Sequence, residues 1–298
     1  MAALPSLRQL SYLVTLSETL NFTEAARRSF VTQSTLSGGI MELERLLGGA
    51  VVERTRHQVR LTPLGHAVTE RARQLLADSQ DLMNLSQSMA EPMTGTLHLG
   101  VIPTIAAFVL ADFLNEARQQ MPNLQLVAHE LTSQVAVERL REGRLDAVLL
   151  ALPFEVEHLQ CWPIGEEPLL LVTHQQHDQP PVLRTEALDT RRLLLLEEGH
   201  CLRDHVLDVC PVRDPQHSQQ FEISSLPTLL QMIEADQGFS LLPAMAATST
   251  LLQGYTRLQV QALADPPSRT LALISRKSST RQLEIEHMAQ LLRARLAR

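Results

Sequence analysis

The sequence predicts an α/β protein in which a small helical N-terminal piece and one long helix precede a larger region of alternating strands and helices. Three observations predict this order. Apolar residues recur at helical spacing, with interruptions, from Leu7 to Leu47. A seven-residue apolar repeat runs from Leu61 to Met89. Beyond residue 95, short strand-like runs alternate with helical stretches.

Leu7 to Leu20 places apolar side chains at 7, 10, 13, 14, 16 and 20, which predicts a first helix. Asn21-Phe22-Thr23-Glu24 breaks it and starts a second, with Thr23 as the expected N-cap of a helix from Glu24 to Phe30. After a tight turn at Val31-Thr32-Gln33, Ser34 opens a third helix that Gly48-Gly49 stop near Leu47. Two short helices so joined form a helix-turn-helix at about 22–41. Val51 to Leu61 alternates around Arg54-Thr55-Arg56-His57, which suits a two-stranded wing. Pro63 then begins a helix to about Met89. Leu61, Val68, Leu75, Leu82 and Met89 repeat every seven residues, and Leu64, Leu76 and Leu85 widen the stripe. Position and length favour a dimerisation helix over a lone amphipathic helix packed on its own domain.

In the larger region, strands are expected at Leu97 to Val101, Leu124 to Glu130, Ala147 to Leu152 and Leu169 to His174. Further strands are expected at Leu193 to Leu196, Phe221 to Ser224, Phe239 to Leu242 and Thr270 to Ile274. Helices fill about 105–120, 134–143 and 226–237, and Arg281 to Leu296 closes the chain. Such alternation predicts a mostly parallel sheet with helices on both faces. His177 to Pro181 and Pro211 to His217 read as exposed loops.

A length of 298 residues allows two or three domains, each with its own core. No apolar run approaches the roughly 18 residues of a membrane span. The first twenty residues carry Arg8 and Glu18 and show no secretory signal, so a cytoplasmic protein without a membrane partner is expected. A net charge of −7 argues against nucleic acid if read globally, but the charge is unevenly spread. Residues 1–60 hold seven arginines against five glutamates, while residues 95–298 hold 17 bases against 24 acids. The basic excess lies in the helix-turn-helix piece.

Cys201 and Cys210 stand in the run from Glu197 to Cys210, the first of them between His200 and Arg203. A neighbouring imidazolium or guanidinium favours the thiolate, the form that attacks a peroxide or a disulfide. In one continuous helix, nine residues would put the two side chains on opposite faces, about 13.5 Å apart along the axis. A disulfide needs Cα atoms within roughly 7 Å. The pair can join only if the chain between them unwinds, which is the geometry of a switch. Metal binding is the rival use of His200, Cys201, His205 and Cys210. They lack a Cys-x-x-Cys pair, so neither a metal nor another cofactor is expected. Cys161, beside Trp162, reads as a buried small hydrophobe.

Several motifs are now in place: Phe22-Thr23-Glu24-Ala25-Ala26, Val31-Thr32-Gln33-Ser34-Thr35-Leu36-Ser37, Ile40, Leu43-Glu44, Leu47-Gly48, Arg54 and Leu61-Thr62-Pro63-Leu64-Gly65. Together they resemble the LysR-type transcriptional regulators over essentially the whole chain. Glu197 to Asp204 with Cys210, and Leu241-Leu242-Pro243-Ala244, resemble the hydrogen-peroxide sensors of that family. The resemblance implies a winged helix-turn-helix DNA-binding domain at 1–62 and a linker and dimerisation helix at 63–92. An effector-binding, redox-sensing domain at 93–298 would follow, built of two Rossmann-like lobes as in periplasmic binding proteins. Lobe I would hold 95–165 plus 267–298, and lobe II 166–266. The implied assembly is a homotetramer, a dimer of dimers, acting on promoter DNA with RNA polymerase.

Under the same resemblance, Gln33, Ser34, Thr35 and Ser37 open the recognition helix, where short polar side chains reach base edges and phosphates. Ser34 also reads as an ordinary N-cap. Arg54 and Arg56 suit phosphate or minor-groove contacts from the wing. Cys201 becomes the peroxidatic residue, flanked by His200 and Arg203, and Cys210 the resolving one. Hydrogen peroxide would give a sulfenic acid, then a disulfide, reset by a cellular dithiol reductant. Thr104 and Arg269 match residues of the family's peroxide site. Ser133 stands where the family usually has threonine, so the hydroxyl is kept, the methyl is lost and the pocket loosens. Each hydroxyl also reads as a helix cap. Pro211 departs from the pattern and biases Cys210 away from helical backbone, which shortens the stretch that must unwind. Two other readings stand beside this one. A regulator could answer a small-molecule co-inducer in the inter-lobe cleft, with the cysteines incidental; the paired cysteines weigh against it. A thiol peroxidase has no need of a helix-turn-helix and coiled coil, so an enzyme is not expected.

Overall fold

The computed structural model describes residues 4–54, 58–176, 184–210, 221–247 and 249–296. Arg56, Pro211 and the loops expected at 177–181 and 211–217 lie outside the described residues. The chain forms two compact units: Met1–Ala90 with Arg141–Arg144 and Ser278–Thr280, and the remainder.

The first unit holds α1 (Leu7–Thr19), α2 (Phe22–Arg28), α3 (Gln33–Leu47), the antiparallel pair β1 (Val52–Arg54) and β2 (Val59–Leu61), and α4 (Pro63–Ala90). Asn21 rather than Thr23 caps α2. Its side chain accepts from the Thr23 and Glu24 amides at 2.9 and 3.1 Å, a reach Thr23 loses by lying inside the first turn. Thr32 likewise caps α3 by accepting from the Thr35 amide at 3.2 Å, so Ser34 is not the cap. Leu36, Ile40 and Leu43 form the buried face of α3 and pack in one core with Leu13 and Leu16 of α1. Gly48 ends α3 at φ 71, in the left-handed region. Glu44, in the last turn of α3, accepts from the Val51 and Val52 amides at 2.9 and 3.2 Å and so holds the start of the wing. Thr62 bonds the Ala50 carbonyl and accepts from the Gly65 amide, which starts α4. Of the heptad stripe, Leu61 and Val68 pack against this unit's core, while Leu75 and Leu82 further along α4 are 51% and 70% exposed.

In the second unit come β3 (Gly95–Val101), α5 (Pro103–Gln120), β4 (Leu124–Glu130), α6 (Ser133–Arg141), β5 (Ala147–Leu152) and β6 (Leu159–His174). These are followed by α7 (Cys201–Val209), α8 (Leu226–Glu234), β7 (Ser240–Pro243), α9 (Ala244–Ala247), α10 (Thr250–Gln253), β8 (Leu258–Gln261), β9 (Ser268–Arg276) and α11 (Gln282–Leu296). Strands run in the order β4-β3-β5-β9-β6-β7, with β8 also on β6. The buried apolar residues fall into two cores, which define two lobes. One core gathers β3, β5, α5, α11 and part of β9; the other gathers the second half of β6 with α7, α8 and β7.

Among the named strands, β3 alone pairs in parallel, with β4 and β5; β5–β9, β6–β9, β6–β7 and β6–β8 are antiparallel. The mostly parallel sheet expected from the alternation is therefore a mixed one. The cause is the path of the chain: β6 leaves the first lobe for the second and β9 returns beside it, so the two crossing strands must oppose each other. The strands expected at 193–196 and 221–224 reduce to single parallel bridges, Leu193 to Phe239 and Leu196 to Ile223.

A Cβ built on Gly65 would lie 2.0 Å from the Val51 carbonyl oxygen, so this helix start and the wing touch backbone to backbone. Gly65→Ala should cost about 2 kcal/mol through forced repacking. Thermal unfolding of the full chain should show the loss.

Candidate functional site

Cys201 is the first residue of α7, a helix that belongs to the second lobe through Leu202 and Val206. Its own side chain, 3% exposed, packs instead in the core of the first lobe. Cys210 caps the other end of α7 and packs in the core of the second lobe. Its backbone, φ −114 and ψ 76, is non-helical, the direction in which a following proline biases it. All three cysteines are free thiols. Cys161, on β6, is half-buried and packs against the first core.

The charges expected beside Cys201 are placed differently by the structure. Arg203 stands two residues on, pointing elsewhere around the helix, and donates to the Leu196 carbonyl at 3.0 Å. His200 is buried, and burial pushes its pKa down toward the neutral ring, against a weak pull from Glu197, 3.9 Å away. The cation that acts on Cys201 is Arg269 of β9. Burial pushes the Cys201 thiol up; Arg269, the Ser133 hydroxyl and the Ala151 backbone pull the other way. Ser133 Oγ, at the start of α6, is buried with no hydrogen-bond partner of regular geometry and lies beside this thiol.

Arg269 is 1% exposed and fully engaged on one side. Its Nε and Nη2 donate to Glu167 Oε2 at 2.9 and 2.8 Å. Its Nη1 and Nη2 donate to Thr104 Oγ1 and the Thr104 carbonyl at 3.0 and 3.1 Å. Those bonds use four of the five N–H groups of a guanidinium, leaving one on Nη1. Glu167 is also buried, and its Oε1 accepts from the Met245 amide at 3.1 Å. Of the residues the sequence points to, Ser133 and Arg269 act on Cys201 and Thr104 bonds Arg269, while the sequence gives no sign of Glu167. A buried arginine demands a counter-charge, but nothing local marks a partner 102 residues away.

His205 lies one turn below Cys201 on the same helix and is buried. Its Nε2 is 3.4 Å from the Pro153 carbonyl, which can only accept, so the proton of the neutral ring sits on Nε2. Nδ1 is then a buried base with no partner. Desolvation, then the nearby Arg269, push its pKa down. Among the described residues no group of three or more His, Cys, Asp or Glu could hold a metal, and none of the helices is long and apolar enough to cross a membrane.

In the first unit, Gln33, Ser34 and Thr35 are exposed on the first turn of α3 and Ser37 is half-buried. Arg54 ends β1. Arg27 and Arg28 of α2 both bond Glu24, whose carboxyl they hold down at about 2.

A helix-turn-helix with a wing, followed by a long helix and two α/β lobes around a buried polar cluster, defines a DNA-binding regulator with an effector unit. Residues 7–66 match the family described as bacterial regulatory helix-turn-helix protein, lysR family, and residues 90–297 match the LysR substrate binding domain. The chain belongs to the LysR family of transcriptional regulators. It is 57% identical to the HTH-type transcriptional regulator EstR of Acinetobacter baylyi, over 98% of both chains. It is 34% identical to the DNA-binding transcriptional dual regulator OxyR of Escherichia coli K12, over 98% of this chain and 96% of that one. Among solved structures, a full-length OxyR variant from Pseudomonas aeruginosa matches with TM-score 0.75 and 32% identity, over 98% of this chain and 95% of that chain. A hydrogen-peroxide-bound OxyR mutant from Corynebacterium glutamicum matches with TM-score 0.66 and 28% identity, over 100% and 94%.

Thr104→Val should strand one buried N–H of Arg269 and cost about 1–3 kcal/mol, read by urea unfolding. His200 and His205 both have folded-state pKa values below the ordinary 6.5. Protonation therefore favours the unfolded chain, so stabilisation is present above about pH 6.5 and lost as pH falls. Urea midpoints should drop between about pH 7.5 and 5.5, and less so in His205→Gln.

Proposed function

We propose that this regulator senses hydrogen peroxide through Cys201 and Cys210 and transmits the signal to promoter DNA as a homotetramer, a dimer of dimers joined in part through α4. The observation that carries this reading is the placement of the thiols at the two ends of α7, in two different cores. At 3% exposure, Cys201 favours small uncharged reagents, and peroxide is one. The free Nη1–H of Arg269 and the Ser133 hydroxyl favour the thiolate and bond a peroxide oxygen, while Thr104 holds the guanidinium in place.

Attack of the Cys201 sulfur on one peroxide oxygen breaks the O–O bond. The sulfur keeps one oxygen as a sulfenic acid, and the departing hydroxide takes the thiol proton and leaves as water. The Cys210 sulfur then displaces the second oxygen, again as water, and two thiols become one disulfide. α7 must unwind to bring them within reach, which withdraws Cys201 from the first lobe. Thiol exchange with a cellular dithiol restores both. On the DNA side, Gln33, Ser34, Thr35 and Ser37 meet base edges and phosphates, Arg54 and Arg56 make phosphate or minor-groove contacts, and the bound regulator acts with RNA polymerase.

A second reading is favoured by the 57% identity to EstR, whose name carries no redox signal, and by the burial that keeps Cys201 a thiol. In it, a small polar effector between the lobes takes the place of peroxide, and the cysteines are structural.

Footprints of a promoter with reduced protein, peroxide-treated protein and Cys201→Ser separate the two. A peroxide-dependent change of footprint, lost in Cys201→Ser and in Cys210→Ser, is expected. Identical footprints in every case would leave the effector reading. Non-specific binding should also weaken steeply with salt, by about tenfold or more between 50 and 200 mM.

A further inference from the structure

We infer that Glu167 is a positioning residue that limits the pull of Arg269 on the buried Cys201 thiol in the resting protein, by holding the guanidinium and compensating its charge. This rests on the reading of Cys201 as the reactive residue and names what regulates it.

The geometry is specific. Glu167 and Arg269 are direct partners across β6 and β9, the two strands that pass between the lobes. Glu167 Oε2 takes both Nε and Nη2, the edge of the guanidinium away from Nη1. Its other oxygen is fixed by the Met245 amide at the start of α9, so the carboxylate cannot rotate off the arginine. Thr104 takes the next two N–H groups. What acts on Cys201 is thus the remainder of a compensated charge, with one N–H on Nη1 left outside these bonds.

Other groups face the thiol. Ser133 comes from α6, the Ala151 backbone from β5, Asp204 from α7 itself, and buried, neutral-leaning His200 and His205 flank it. Among these, Arg269 is the cation that favours the thiolate. An arginine freed from its carboxylate in a dry site would find the Cys201 sulfur as the next group able to carry a negative charge. Burial therefore prevails at Cys201 while the pair is intact, and any rearrangement that parts Glu167 from Arg269 raises the thiolate fraction.

The test is the pH profile of Cys201 alkylation by iodoacetamide in the full chain, read by mass spectrometry peptide by peptide so that Cys161 and Cys210 are counted separately. In Glu167→Gln the midpoint should fall by about one pH unit, close to tenfold more thiolate at a fixed pH. Glu167→Asp, which keeps the charge, should stay near the wild type. In an Arg269→Gln background, Glu167→Gln should shift nothing, because the effect passes through Arg269. An unmoved midpoint in Glu167→Gln, or an equal shift in the Arg269→Gln background, overturns the inference. Should Glu167→Gln alone not fold, the double variant and Glu167→Asp decide: the former must match Arg269→Gln and the latter the wild type. The same proteins exposed to hydrogen peroxide judge the underlying reading separately. A wild-type Cys201 that alkylates on the expected profile but is untouched by peroxide removes the peroxide reading and leaves the role of Glu167 standing.

Discussion

The ion pair of Arg269 and Glu167 sits where the two strands that link the lobes lie side by side, with both side chains shut away from water. Removing two such charges from solvent costs several kcal/mol each, and their attraction offsets this only when the remaining donors and acceptors are satisfied. Here Thr104 takes two N–H groups and Met245 supplies a third donor to the carboxylate. Thr104 stands at the start of α5 in the first lobe and Met245 at the start of α9 beside the second. One polar chain thus ties both lobes to the crossing strands, and the thiol site is arranged around it.

The second constraint is the double allegiance of α7. Its apolar face, Leu202 and Val206, is part of the second core, while the side chain at its tip is part of the first. Any change that shortens or uncoils α7 is opposed by burial in both lobes at once. A local chemical event at Cys201 is in this way coupled to the packing of the whole second unit, with no need for a long chain of intermediaries.

Much of this was legible in the sequence because it is set locally. Helical spacing and glycine stops placed α1 to α3, and the heptad stripe placed α4, since caps and repeats act over a few residues. Asn21 and Thr23 are hard to tell apart in sequence because both can cap and they are two positions apart. The crossing strand β6 was half missed: Pro163, Gly165 and Pro168 interrupt the alternation, and the register shifts between Pro163 and Gly165. The cluster at Cys201 is legible only through the family resemblance, which points to Arg269 but not to its counter-ion Glu167. Sequence adjacency pointed to Arg203, but two residues along a helix turn a side chain away. The cation came instead from β9, and its counter-ion from β6. Thr104, Ser133 and Arg269 were found by resemblance; their spacing alone carries no signal.

The bond from Glu44 to the Val51 and Val52 amides has a consequence for how a duplex is read. One carboxylate welds the end of the recognition helix to the root of the wing, and Thr62 and Gly65 close the same corner against Ala50 and Val51. Helix and wing then behave as the two jaws of a locked caliper. With α3 in the groove and the wing on the backbone, as proposed, such a tool would measure the distance from groove floor to flanking phosphates, so the stiffness and groove width of the DNA would become part of what is selected.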